Sequence, residues 1–421
     1  MKFKRPRGTN DLYGEEMELW LEVERKLTSF VRAHGYTEIR TPLFESTDLF
    51  IRAVGEGTDI VSKEMYTFVD KKGRSLTLRP ENTAPVMRAY LENGLHRTGG
   101  LTRFYYLGPM FRYDRPQAGR YRQFHQIGVE AIGSQNPAVD AEVIEISLGI
   151  YDTLGFPPLD VRLNSVGCPV CRPPFKEILK EELKGMKDSL CVNCGERALV
   201  NPLRIFDCKE CDEIKGRLPV ITDHLCGECS GHFERLRQIL DGLGIEYTHD
   251  PLLVRGLDYY TKTAFEILHP ELGAQNALCG GGRYDGLAED CGGGFTPAVG
   301  FSAGVERLIE TLPEDHSLGG EDGAGSAYFV LIEDSADVRA LSAAEEIRRA
   351  GLRAVVDLSG RGLKKQLKAA SDGGFAFAVI IGADELARGE AAVKDLESGQ
   401  QENIPFSSLA SHIRSRTEKG R

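Results

Sequence analysis

A chain of 421 residues, 41% hydrophobic and 27% charged, is too long for one ordinary domain and can bury more than one core. Its formal net charge of -11 argues against indiscriminate binding to nucleic acid, so any polyanion must be met by local basic patches. No apolar run is long enough to span a bilayer, and MKFKRPRGTNDLYG at the start lacks the apolar core of a signal peptide. The expectation is a cytoplasmic protein with no membrane partner, whose ten cysteines stay reduced.

In chain order, Trp20, Val23, Leu27, Phe30 and Val31 recur at helical spacing within residues 15–34, and Gly35 is a C-terminal stop. YTEIRTPLF (36–44) reads as a strand that stops at or near Pro42. β-Branched and aromatic residues predict strands from Leu101 to Tyr113 and from Gln123 to Ile132. They flank a loop in which Arg112, Arg115, Arg120 and Arg122 are gathered. Strand-like segments resume at 251–268, 276–280 and 297–302. LPEDHSLGGEDGAGSA (312–327), rich in Gly, Ser and acid, is the clearest linker. Beyond it, AYFVLIED, GLRAVVDL and AFAVIIGADE alternate with helical stretches, the pattern of a small separate α/β domain. There Arg361, Lys364, Lys365 and Lys368 would line one helix face, either an RNA surface or an ordinary solvated face.

Eight of the ten cysteines form CPVC (168–171), CVNC (191–194), CKEC (208–211) and CGEC (226–229). Each pair supplies two thiolates from one tight turn, and two pairs complete a tetrahedral site. Cys168, Cys171, Cys191, Cys194, Cys208, Cys211, Cys226 and Cys229 therefore provide for two structural Zn²⁺ ions, with three pairings of the turns left open. CGGGRYDG (279–286) is either a phosphate-cradling loop or a tight turn between strands, and no P-loop pattern accompanies it. GFSAG (300–304) fits a hydrolase nucleophile elbow, but only His316 and His412 follow it and no HGGG-type segment exists. The same small residues would let the backbone approach a flat ligand closely, with Arg307 facing it.

On a strand through Phe124 and Glu130, Gln126, Gly128 and Glu130 share one face, with the glycine leaving room for a ligand. Solvated polar residues on an edge strand are the competing reading. The neighbouring arginines favour a site, because Arg112 at the strand end can grip a phosphate oxygen bidentately.

FRYDRPQAGRYRQFHQ (111–126) resembles motif 2 of class II aminoacyl-tRNA synthetases, in the form carried by histidyl-tRNA synthetases. PRGTNDLYG (6–14) resembles that family's N-terminal signature, TPLFE (41–45) its motif 1, and RPENTAPVMRAY (79–90) its TLRPE block. LVRGLDYYTKTAFEI (253–267) and ALCGGGRYDGL (277–287) resemble its two histidine-specific segments, and VGFSAGVERL (299–308) its motif 3. GRGLKKQLKAA and VKDLESGQ resemble its anticodon-binding domain. The GFSAG match is then motif 3 with a serine in it.

The resemblance implies an α+β fold: a class II antiparallel sheet flanked by helices, with a C-terminal α/β anticodon-binding domain. The expected domains are 1–311, interrupted by a cysteine-rich insertion at 168–232, then a linker at 312–326 and the anticodon-binding domain at 327–421. It implies a homodimer formed through motif 1, and histidine–tRNA ligase activity through histidyl-adenylate, with L-histidine, ATP with Mg²⁺, and tRNA(His) as substrates. By position, Glu81, Asn82, Thr83 and Gln126 would hold the amino-acid end of histidine, with Glu130, Tyr259 and Tyr260 at its imidazole. Arg112 and Arg255 would act catalytically at the α-phosphate, beside the bound histidine. Arg112, Arg120 and Arg307 would hold ATP, and Arg115 and Gln117 the tRNA acceptor end. The zinc reading rests on cysteine spacing and not on the family. The family also has a non-charging, histidine-binding paralogue, the regulatory subunit of ATP phosphoribosyltransferase. That paralogue usually lacks an intact RGLDYYT segment and the anticodon domain, and this chain has both.

Overall fold

Two runs of β-branched and aromatic residues, Thr102–Phe111 and Gln123–Ile132, pair antiparallel along their whole length, with Thr102 opposite Ile132 and Phe111 opposite Gln123. They belong to an eight-stranded sheet in the order Thr37–Glu38, Thr102–Phe111, Gln123–Ile132, Ala298–Gly304, Ala277–Arg283, Thr261–Leu268, Asp160–Ser165 and Thr248–His249. Its interior pairings are all antiparallel, and the two short outer strands pair in parallel. This computed structural model describes residues 3–115, 119–197, 201–208, 210–269, 277–313, 326–333 and 336–419. It divides into two units, Met1–Leu318 and Gly319–Arg421.

Strand alternation sorts the first unit into a packed face and an open one. Ile127, Val129 and Ala131 join Phe265, Val299 and Phe301 in a core closed by the helices Glu15–Ala33, Pro137–Asp152 and Gly227–Leu243. The first of these helices buries Trp20, Val23, Leu27 and Val31, as their spacing predicts, and leaves Phe30 partly exposed. Gly35 lies just past its end with φ of 82°, the left-handed conformation that ends a helix. The intervening residues of the central strand, Gln126, Gly128 and Glu130, face the other way, toward the helix Thr83–Glu92 and the tyrosines 106, 259, 260 and 284.

Three expectations change. The strand expected to stop at or near Pro42 is shorter, Thr37–Glu38 in the main sheet, and beyond the proline Phe44–Ser46 is a further strand in a separate three-stranded sheet. Of the strand-like stretch 251–268 only Thr261–Leu268 is strand, and 251–260 is a loop. The second unit does carry the expected parallel strands Arg353–Val356, Ser326–Leu331 and Phe377–Ile381, but antiparallel Glu390–Asp395 and Gln401–Pro405 extend the sheet. In that unit Arg361 precedes the helix Leu363–Asp372 and is tied to Asp357 at 2.7 Å, while Lys364, Lys365 and Lys368 remain exposed. Most of the linker, 314–325, lies outside the described residues.

The cysteine-rich segment is helical, built from Arg172–Gly185, Val192–Arg197 and shorter turns, and it returns to the sheet through Gly227–Leu243. It has a core of its own around Phe175, Leu179, Leu183, Ile205, Phe206 and Ile214. No helix among the described residues is long and apolar enough to cross a membrane.

A buried ionic cluster ties the layers together. Arg283, at the end of its strand and fully buried, donates through Nε to Asp140 at 3.1 Å and through Nη1 to Asp285 at 3.1 Å, and its Nη2 also bonds Asp140. Asp140 lies on the helix Pro137–Asp152, and His232, on Gly227–Leu243, reaches it through Nε2 at 3.2 Å. Burial pushes the Asp140 carboxyl up, but the Arg283 guanidinium and His232 outweigh it and hold the group at about 2. A carboxylate with a depressed folded-state value stabilises the fold above its unfolded value and loses that stabilisation as the pH falls toward 2. Asp140→Asn leaves the guanidinium under-compensated, which costs about 3–5 kcal/mol and should show as a lowered midpoint in denaturant titration at pH 7. The gap between the variant and the parent chain should narrow as the titration is repeated at lower pH.

Candidate active site

The helix Thr83–Glu92 begins against the open face of the sheet, and Glu81 caps it: its carboxylate accepts from the backbone N–H of Thr83 at 2.7 Å and of Ala84 at 3.1 Å. Burial pushes the Glu81 carboxyl up, and these N–H groups oppose that. The Asn82 carbonyl oxygen accepts from Thr41 at 2.6 Å and Arg79 at 3.2 Å, which anchors motif 1 to the same turn. Its Nδ2 is buried with no hydrogen-bond partner among the described residues.

Glu130 lies opposite this turn, 1% exposed, and accepts from Thr83 Oγ1 at 2.7 Å and from the Tyr284 hydroxyl. Burial drives its carboxyl up to about 8, against the pull of the Tyr284 and Thr83 hydroxyls. The Tyr259 and Tyr260 rings lie 4.7 Å apart between centroids, tilted at 47°, and Tyr259 meets Tyr284 edge-on at 5.6 Å. Gln126 donates to Ser302 Oγ at 3.4 Å, and its buried carbonyl oxygen has no partner among the described residues. This cluster combines carboxyls, hydroxyls, an amide and aromatic faces, which suits a small ring-bearing amine.

Arg255 ion-pairs with Glu266 and lies 5.8 Å from the centroid of the Tyr260 ring; its buried Nε has no partner among the described residues. Burial disfavours its charge, but Glu266 and the nearby tyrosines more than restore it. A side chain at Gly280 would collide with the Arg255 guanidinium, and one at Gly300 with the Glu130 carboxyl. Beside them is a cleft of about 590 Å³ lined by Arg112, Arg120, Arg307, Glu64, Asp114 and Glu266, among others. Arg112 donates to the Pro80 carbonyl at 2.9 Å with its guanidinium 5.3 Å from the Phe124 ring centroid. Arg120 reaches Asp114 at 3.1 Å, and Arg307 bonds the Ala277 carbonyl. Arg115 is exposed, Arg122 stacks 4.2 Å over Tyr113, and Gln117 lies outside the described residues. So Arg112, Arg120 and Arg307 share one cleft, while Arg115 and Arg122 do not line it.

Sequence reasoning missed Tyr106, Tyr284 and Glu266, and weighed Ser302 only as a hydrolase nucleophile within GFSAG. Tyr284 follows the buried Arg283 within CGGGRYDG, and Glu266 is the lone acid of the apolar run TAFEIL. Those were the available signals.

Among the described residues, the groups of three or more potential metal ligands are two cysteine sets. Cys168, Cys171, Cys226 and Cys229 form one, and Cys191, Cys194, Cys208 and Cys211 the other, with every Sγ in a set within 4.8 Å of the rest. Of the three possible pairings the chain adopts the nested one. Sγ separations of 3.7 Å for Cys168–Cys171, 3.9 Å for Cys168–Cys226 and 3.7 Å for Cys191–Cys208 match the roughly 3.8 Å edge of a tetrahedron with Zn–S near 2.3 Å. The Cys226 N–H points to Cys171 Sγ at 3.1 Å, and the Cys194 N–H to Cys191 Sγ at 3.4 Å. All eight are free thiols. The residues fit Zn²⁺.

An antiparallel sheet flanked by helices, with a separate C-terminal α/β unit, is the architecture of a class II aminoacyl-tRNA synthetase. Residues 8–169 and 211–308 match the family described as histidyl-tRNA synthetase, and 327–416 match the anticodon binding domain. The chain is 48% identical to the histidine–tRNA ligase of Desulforamulus reducens, covering 98% of this chain and 99% of that one. It is also 48% identical to that of Moorella thermoacetica over 100% of both. Apo histidyl-tRNA synthetase from S. aureus superposes with a TM-score of 0.80 at 38% identity, covering 98% of this chain and 100% of that one. The chain belongs to the histidyl-tRNA synthetase family. Residues 170–210, with one complete cysteine turn and parts of two others, fall outside the family match.

The Glu130 environment has a pH signature. A carboxyl whose folded-state value is raised from 4.5 to about 8 has its full stability below the unfolded value and loses it as pH rises through the folded one. Glu130→Gln removes the cost of ionisation while keeping an acceptor for Thr83 and Tyr284. Thermal melts from pH 4 to 9 should show the variant gaining on the parent chain between about pH 4.5 and 8, then a constant gap. A gap independent of pH would show that Glu130 ionises as freely as in water.

Proposed function

We propose that this chain is a histidine–tRNA ligase that activates L-histidine with ATP and transfers it to the 3′ end of tRNA(His). The observation that carries this is the placement of a buried carboxyl–tyrosine cluster beside an arginine-lined cleft on one sheet face. Likeness to ligases along the whole chain supports it.

In this reading the ammonium group of histidine lies near Glu81, Thr83 and the Gln126 carbonyl, with Asn82 bracing the turn. A carboxylate can accept about four hydrogen bonds, so Glu81 keeps capacity beyond its two backbone donors. Glu130 and the pair Tyr259–Tyr260 meet the imidazole. The carboxylate oxygen of histidine attacks the α-phosphorus of ATP, and pyrophosphate leaves. Arg112 and Arg255 face the negative charge that builds on the non-bridging oxygens. Arg120 and Arg307 hold the outer phosphates, and Mg²⁺ arrives with ATP to offset their charge. A ribose hydroxyl at the tRNA 3′ end then attacks the carbonyl of the adenylate and AMP departs; Arg115 and Gln117 meet that end.

The other partners are proposals of the same kind. The exposed Leu43, Phe44, Phe68 and Val69, around the three-stranded sheet that holds motif 1, favour a homodimer through that surface. The protein works in the cytoplasm, where its thiols stay reduced. Two Zn²⁺ ions hold the insertion, one per cysteine set, and residues 327–421 bind the anticodon.

Pyrophosphate exchange into ATP should require histidine, with analogues lacking ring nitrogens rejected by about 10⁴-fold, because buried polar groups would be left unpaired. Arg255→Ala should lower the exchange kcat by about 10²–10³-fold. Histidine binding with no exchange would identify a regulatory protein instead.

Elemental analysis should find two zinc ions per chain, each held by four of the eight thiolates. Removal of zinc by a chelator should lower the melting temperature and open the insertion to proteases. Full protease resistance without metal would remove its structural role.

A further inference from the structure

The loop 251–260 carries Arg255, Tyr259 and Tyr260 but has little regular structure to hold it. Its near end is fixed by Asn164 Nδ2, which donates to the Pro251 and Leu253 carbonyls at 3.2 and 2.8 Å. Toward its far end, the Asp258 N–H donates to the Val54 carbonyl at 3.2 Å, and a side chain at Gly55 would collide with Asp258. Between these anchors, besides the Arg255–Glu266 ion pair and the packing of Leu257 on the Phe50, Val54 and Ile60 cluster, contacts come from the cysteine-rich insertion. Arg204 Nη2 donates to the Gly256 carbonyl at 3.1 Å and to Asp258 Oδ1 at 3.2 Å. Arg172 Nη1 reaches the Asp258 carbonyl at 3.5 Å. Leu252 and Val254 of the loop pack on the insertion's own core.

We infer that Arg204 is a positioning residue for the amino-acid site, the means by which the insertion sets the geometry of Arg255, Tyr259 and Tyr260. It bridges two loop residues that lie between that arginine and those tyrosines, and Asp207 braces its other nitrogen at 3.2 Å. Its own turn is anchored by packing. The turn Pro202–Ile205 buries Pro202 and Ile205, then runs through Phe206 into Cys208, a member of the second cysteine set. Arg204 is mostly buried while Asp258 is half exposed, so the ion pair alone contributes little. The planar guanidinium matters because its two terminal nitrogens hold Asp207 on one side and the Gly256 carbonyl with the Asp258 carboxylate on the other, a span that the single nitrogen of an ammonium does not cover. A crevice of about 150 Å³, lined by Arg172, Arg204, Arg255, Asp258 and Tyr260 among others, runs along this junction.

The consequence is for amino-acid binding and, through Arg255, for turnover, while the grip of Arg112, Arg120 and Arg307 on ATP is left alone. This rests on the reading of the site as a histidine pocket, so the test includes a measurement that does not need that reading. In the full-length, zinc-loaded protein, Arg204→Ala should raise the KM for histidine in pyrophosphate exchange by about tenfold, the loss expected for one or two charge-assisted hydrogen bonds. The KM for ATP, the zinc content and the melting temperature should stay close to those of the parent chain. Asp258→Ala should act in the same direction, and the double variant should be weaker than the product of the two single effects. Arg204→Lys should recover only part of the loss. Hydrogen exchange should be faster across 253–260 in Arg204→Ala, with the helix Glu15–Ala33 unchanged. Unchanged KM for histidine together with unchanged exchange across 253–260 would overturn the inference. So would equal losses for histidine and ATP, which would make Arg204 a general fold residue. No exchange by the parent chain would defeat the ligase reading alone, and loop protection would still decide the role of Arg204.

Discussion

Arg283 is buried completely and shared between Asp140 and Asp285, and the rest of the first unit is arranged around that contact. An isolated guanidinium in such a place would be prohibitively costly, so the strand that carries it can occupy only a position where both carboxylates are present. Asp140 fixes the helix behind the sheet, and His232 brings in the helix that leaves the cysteine-rich insertion. Lys262, at φ of 50°, extends the cluster: its ammonium bonds Glu228 at 2.7 Å, and its backbone N–H donates to the Gly167 carbonyl at 2.9 Å. Both ends of the insertion are thereby held to the strand Thr261–Leu268.

With the packed face fixed in this way, the open face is free for chemistry. The neighbouring residue, Tyr284, turns its hydroxyl to Glu130, so structural and functional groups alternate along one short segment. Glycines make the arrangement possible. The strands Ala277–Arg283 and Ala298–Gly304 pair over Cys279–Arg283, and the absence of Cβ atoms at Gly280 and Gly300 leaves space for the Arg255 and Glu130 side chains. A carboxyl this deeply buried, with a second acid nearby, resists ionisation despite the Tyr284 and Thr83 hydroxyls and can donate as well as accept. Arg255, in the same neighbourhood, is kept charged by Glu266.

The nested pairing of the cysteine turns has its own structural effect. The first and last turns close the base of the insertion, and the inner two close its tip, so the intervening chain folds back along itself. That brings the turn Pro202–Ile205 against the loop 251–260, whose Gly256 lies 52 residues beyond Arg204 in the chain.

Sequence alone determined the long helix, the paired strands on either side of the arginine loop, the division into two units and the presence of eight metal-type cysteines. Each is written in local periodicity or spacing, which the chain cannot satisfy in many other ways. The same signals placed Gln126, Gly128 and Glu130 on one face, because strand alternation needs no tertiary information. Tertiary structure decided which cysteine turns pair, since spacing permits three arrangements and only packing selects one. It decided that Arg112, Arg120 and Arg307, which the family resemblance had grouped, line one cleft, and that Arg122 stacks on Tyr113 instead. It also decided that Arg283 belongs to the core and that Arg204, in the insertion, bonds the loop 251–260. Nothing local distinguishes a structural arginine from a binding one, because the difference lies in which carboxylates and carbonyls distant segments bring to it.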